Sequence, residues 1–98
     1  MLFIVRFTDK PDRAAMRQQF TQVHYDWLAE HADKILAAGA LRADVDEPPQ
    51  GALWIVEAET YAAVDALLRQ DPYWIHDLRE SYEIAHWTKS FPAKKAAI

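Results

Sequence analysis

The chain has no cysteine. Disulfides, thiolate metal ligands and a cysteine nucleophile are therefore excluded. It has two glycines, Gly39 and Gly51, too few for the glycine-rich loops that cradle phosphates. The two serines, Ser81 and Ser90, lie outside any G-x-S-x-G elbow. Basic blocks are missing too: the one adjacent pair is Lys94-Lys95, and the net charge is −4. Nucleic acid is thus a poor partner, because phosphate binding needs clustered Lys and Arg. No run of about 18 apolar residues occurs, so no membrane-spanning helix is expected. The opening residues, Met1 to Arg6, have no basic n-region, and the expected location is the cytoplasm.

What remains is the composition of a water-soluble globular protein. Of 98 residues, 51% are apolar and 27% charged, enough for one two-layer core. A single domain over 1–98 is expected, with 92–98 as a tail. Four Trp, four Tyr and four Phe are generous for this size and suggest a packed pocket or interface.

Residues 2–8 read as a strand rich in Phe, Ile and Val. Helical spacing follows over 14–38, and a break near Thr21 is compatible with it; Met16, Phe20, Val23, Trp27, Leu28 and Ile35 form the apolar stripe. Gly39 is placed like a glycine closing that helix. Strands are expected over 40–45, 52–58 and 81–91. Thr60 is a plausible N-cap for a second helix with Tyr61, Val64, Leu67 and Leu68 on one side. Asp71-Pro72 ends it and opens a short further turn. The order βαββαβ predicts an α+β, ferredoxin-like protomer. Both faces of its sheet are apolar, since Phe3, Val5 and Phe7 oppose Leu2 and Ile4 along one strand. The helices cover one face, so a homodimer is expected to cover the other.

His24 is the residue that most needs an explanation. At ~100° per residue it falls at the centre of the apolar arc, with Phe20, Trp27, Leu28 and His31 beside it. One reading is a core histidine bonded to a carbonyl; the other is a general acid or base in a pocket wall. Asp71 also has two readings, a helix cap or a carboxylate that orients an imidazole. Arg42 could grip an anionic substrate group, and Trp27, Trp54 and Tyr73 could line an apolar cavity. No fixed metal site is expected: His24 and His31 lie two helical turns apart, ~10 Å along the axis. No cofactor is indicated.

The chain resembles the YciI-like family. The resemblance rests on the Met1-Leu2-Phe3-Ile4-Val5 strand, on His24 with Tyr25-Asp26-Trp27-Leu28, and on Ala38-Gly39-Ala40-Leu41. It extends through Leu53-Trp54-Ile55-Val56-Glu57-Ala58, Asp71-Pro72-Tyr73 and His86-Trp87-Thr88-Lys89-Ser90-Phe91-Pro92. It implies a ferredoxin-like protomer in a dimeric α+β barrel, with His24 and Asp71 as the active pair. The expected function is acid/base chemistry on a small organic acid or enol-like ligand, by isomerase, lactone or elimination chemistry. The alternative is a non-catalytic metabolite-binding dimer of the same fold.

Overall fold

Alternation of large apolar residues sets the central strand, β1 (Leu2–Asp9), with Phe3, Val5 and Phe7 buried on one face. The computed structural model describes residues 1–91; the tail expected at 92–98 lies outside them. After β1 come α1 (Ala14–Glu30), β2 (Ile35–Arg42), β3 (Pro49–Glu57), α2 (Tyr61–Leu68), α3 (Pro72–Ile75) and β4 (Arg79–Trp87). The strands form one antiparallel sheet of order β2-β3-β1-β4. This is the ferredoxin-like α+β fold.

The core lies between the sheet and the helices. Phe3, Val5 and Phe7 stand opposite Val56, Trp54 and Ala52 of β3. Val64, Leu67 and Leu68 of α2 close over them. Thr60 caps α2, its side chain accepting the Ala63 N–H. Full burial of a side chain such as Leu68 stabilises by roughly 1.5–3 kcal/mol. Among the described residues, no helix is long and apolar enough to cross a membrane.

The first helix is shorter than its sequence pattern suggests. It ends at Glu30, and Ile35 begins β2 opposite Val56. Gly39 therefore sits inside a strand and closes no helix. The stop comes from the turn after the helix, where His31 Nδ1 donates to the Trp27 carbonyl and the Ile35 N–H bonds the His31 carbonyl. Sheet pairing then outweighs the helical preference of Leu36-Ala37-Ala38. Val23, expected in the apolar stripe, is 50% exposed, and His24 is the one buried residue of α1. The helix does not break at Thr21, whose hydroxyl donates back to the Arg17 carbonyl at 2.6 Å.

Two register shifts carry consequences for the site. One lies between Ile35 and Ala37 in β2, after which Ala38 and Ala40 face Trp54 and Ala52. The other lies between Thr8 and Asp9, where Thr8 pairs with Ser81 but Asp9 pairs with Arg79. Glu80 is the extra residue, and the bulge turns Arg79 inward beside Asp9.

Two predictions test this account. At Gly51 an added Cβ would lie 1.9 Å from the Phe7 carbonyl oxygen. Gly51→Ala must push the β1–β3 pair apart and should cost about 1–3 kcal/mol in denaturant unfolding. At the edge of α2, the Tyr82 hydroxyl and then Arg69 bond the Asp65 carboxylate and hold it below its ordinary 3.8. Such a carboxylate stabilises the fold above pH 3.8 and loses that contribution as pH falls further. The melting-temperature gap between wild type and Asp65→Asn should therefore be open at neutral pH and close in strong acid.

Candidate active site

His24 lies on α1 and Asp71 heads α3, 47 residues apart, yet His24 Nδ1 and Asp71 Oδ1 are 2.7 Å apart and buried. Both side chains also have structural duties. Asp71 caps α3, accepting the Tyr73 N–H on Oδ1 at 3.1 Å. Pro72 occupies the first helical position, where its missing N–H costs nothing. The cap reading and the imidazole-partner reading of Asp71 are thus both satisfied by one carboxylate.

The pair belongs to a larger buried network. Arg79 Nε and Nη2 donate to Asp71 Oδ2 at 3.4 and 3.3 Å, and Arg79 Nη1 donates to Asp9 Oδ1 at 2.9 Å. Arg17 donates to the other oxygen of Asp9. Two carboxylates face two guanidiniums, so the charges cancel while His24 is neutral. That balance is what makes the burial tolerable, because a buried charge without a partner is costly. The Arg79 guanidinium also lies 4.3 Å from the Phe7 ring centre, a cation–π contact.

Tyr73 fixes the imidazole from its face. The two rings stack with centres 4.0 Å apart and 17° between planes. The Tyr73 hydroxyl donates to Thr21 Oγ1 at 3.1 Å, tying α3 to α1. Asp71 accepts from Tyr73 N–H and Arg79, so His24 Nδ1 is the donor to it. That tautomer leaves Nε2 as an acceptor. Nε2 has no partner among the described residues, and His24 walls a hollow of about 110 Å³.

Small side chains create that hollow. Ala38 and Ala40 of β2 and Ala52 of β3 stand where larger residues would fill the gap beneath α1, and Leu28, Trp54 and Tyr73 share the wall with Tyr25 and the network arginines Arg17 and Arg79. A wider cavity of about 620 Å³ abuts it through Arg17, Tyr25, Ala40 and Tyr73, and carries Arg13 and Arg42. Of the residues singled out from sequence, Trp54 and Tyr73 wall the inner hollow. Arg42 borders the outer cavity, with Nη1 donating to the Glu47 carbonyl at 2.8 Å. Trp27 packs against Trp54 and His31 behind the wall. His31 is a partly buried residue bonded to its own helix.

Sequence reasoning missed Arg79, Asp9 and Arg17 as members of the network. Arg17 had one legible signal, standing two turns before His24 on the same face of α1. Arg79 had none, because a regular β4 would turn it outward.

A solved structure with this fold is 5-chloro-2-hydroxyhydroquinone dehydrochlorinase from Burkholderia phenoliruptrix AC1100, in complex with 2,5-dihydroxybenzoquinone. It shares 23% identity over 90% of this chain and 94% of that chain, with a TM-score of 0.81. A protein from Agrobacterium tumefaciens shares 19% identity over 87% of this chain and 89% of that chain, with a TM-score of 0.48. An uncharacterized NIPSNAP domain protein from Burkholderia xenovorans shares 13% identity over 93% and 97%, with a TM-score of 0.49. No curated protein matches the sequence. The family model of the YCII-related domain matches residues 1–88, and the chain belongs to that family.

Proposed function

We propose that the protein is a small-molecule enzyme in which His24 moves a proton to or from an enol-like or acidic substrate and Asp71 orients it. The observation that carries this reading is the 2.7 Å buried contact between His24 Nδ1 and Asp71 Oδ1, with His24 in the wall of a hollow. Proton uptake at Nε2 gives an imidazolium whose other N–H already points at a carboxylate, so the charge is met without reorganisation. The Tyr73 stack holds the ring in place, which is what general-base geometry needs. Isomerisation and elimination both begin with such a proton removal. The dehydrochlorinase with the same fold acts on a chlorinated hydroxyhydroquinone, so that compound is the first substrate to try.

The same reading has the protein act as a homodimer. Leu2, Ile4, Leu53 and Ile55 leave a half-exposed apolar patch on the sheet face away from the helices, next to the facing Arg6 and Glu83. A second copy is the simplest cover for such a face.

His24→Gln keeps an N–H for Asp71 but removes the base. Turnover should fall by about 10²–10⁴-fold with the melting temperature little changed; a substrate turned over equally by both forms would falsify the assignment. Ile4→Asp should convert a dimer into a folded 11.3 kDa monomer by light scattering. A wild type that already runs as a monomer at micromolar concentration rules the dimer out.

A further inference from the structure

The hollow beside His24 is walled by two arginines, Arg17 and Arg79, and among the described residues by no carboxylate. This stands against a net charge of −4 for the whole chain. Asp9 and Asp71 neutralise the two guanidiniums, yet neither belongs to the wall of the hollow. A group entering beside His24 therefore meets the cations of the network more closely than its anions.

The two arginines differ in what they can offer. The Arg79 side chain is fully buried and spends Nε, Nη1 and Nη2 on Asp71 and Asp9. The Arg17 side chain is 19% exposed, and Asp9 engages its Nη2 alone. A guanidinium carries five N–H donors, so Arg17 has donors to spare. Arg17 also belongs to the walls of both cavities, which puts it where the hollow meets the wider space. Its guanidinium lies 5.1 Å from the centre of the Tyr73 ring, the ring on which His24 stacks at 4.0 Å. One aromatic side chain thus steadies both the base and the cation. Arg42, the residue expected to grip an anion, borders the outer cavity and is not in the wall with His24.

We infer that Arg17 holds an oxygen of the substrate and receives the negative charge that forms when His24 takes the proton. The substrate's C–H or O–H bond breaks and the Nε2–H bond forms. The electron pair settles on an oxygen joined to, or conjugated with, the atom that lost the proton. The buried network sums to zero while His24 is neutral. Afterwards the imidazolium adds one positive charge and the oxyanion one negative charge, so the balance is kept. A charge-assisted bond from a fixed guanidinium is strongest in such a shielded place. This rests on the acid/base reading of His24. It adds a second substrate-contacting residue and restricts the substrate to acids whose conjugate base carries its charge on oxygen.

The test is a titration of ¹⁵N-labelled protein at neutral pH with acetate and acetamide. The two probes share one shape, differ in charge, and are small enough for a hollow of about 110 Å³. The backbone amides of Gly39 and Ala40, both in the wall, report binding. The Arg17 Nε–H signal, assigned through its contact with the Tyr73 ring, reports where the anion sits. Acetate should move all three signals along one saturation curve, and acetamide should bind about tenfold more weakly. Arg17→Met should weaken acetate about tenfold. Arg69→Met removes the same charge from the surface beside α2 and should bind acetate as wild type does.

Saturation at Gly39 and Ala40 with the Arg17 signal unmoved overturns the inference. So do equal affinities for acetate and acetamide, full acetate affinity in a folded Arg17→Met, an equal loss in Arg69→Met, or no acetate binding at all. The wild-type signals decide by themselves where a variant does not fold. The two readings fail separately. Turnover lost in His24→Gln with the Arg17 signal indifferent to acetate leaves the base and removes the role of Arg17. An Arg17 signal that follows acetate while His24→Gln turns over normally leaves the anion site and removes the base.

Discussion

Asp71 is fully buried and accepts four hydrogen bonds, from the Tyr73 backbone, from His24 and twice from Arg79. Each donor belongs to a different part of the fold: the cap of α3, the middle of α1 and the inner end of β4. A carboxylate taken out of water must be compensated from all sides, and so its solvation by protein fixes where these three elements meet. The hydrophobic core under α2 would hold the sheet without it. The placement of α1, whose one buried residue is a histidine, draws on it together with the packing of Trp27 and Leu28 on the core.

The sequence could be read wherever one local rule decided the outcome. Thr60 and Asp71 announce their helices because capping is a local hydrogen bond, and β1 and β3 show dense β-branched and aromatic runs. The approach of His24 to Asp71 was expected from the apolar arc and the family resemblance together. The course of β2 was not legible. Leu36, Ala37 and Ala38 are good helix formers, and only pairing with β3 makes them a strand. The Arg79 guanidinium was hidden for a different reason. A bulge breaks the two-residue period by which inward and outward positions are counted, and nothing in Arg79-Glu80-Ser81 marks it in advance.

The hollow and the support of the His24 ring come from opposite choices of residue. Ala38, Ala40 and Ala52 leave space where a well-packed domain would place larger side chains, at the expense of apolar contact. Around the hollow, Tyr73 stacks on His24 and Trp27 packs against Trp54. Rigidity is concentrated where orientation matters and packing is relaxed where a small molecule would sit, the usual division between a site and its scaffold.

The bulge at Glu80 also bears on how the chain finds its strand alignment. With regular pairing Glu80 would stand opposite Asp9, setting two anions together in the interior and swinging Arg79 out to the far face. With the bulge, cation meets anion and the sum of charge is zero. Tyr82 and Ile84 point inward in either case. Greasy side chains alone do not choose between the two alignments; electrostatics proofreads the last step, and a neutral residue at position 9 would leave β4 with two competing endings.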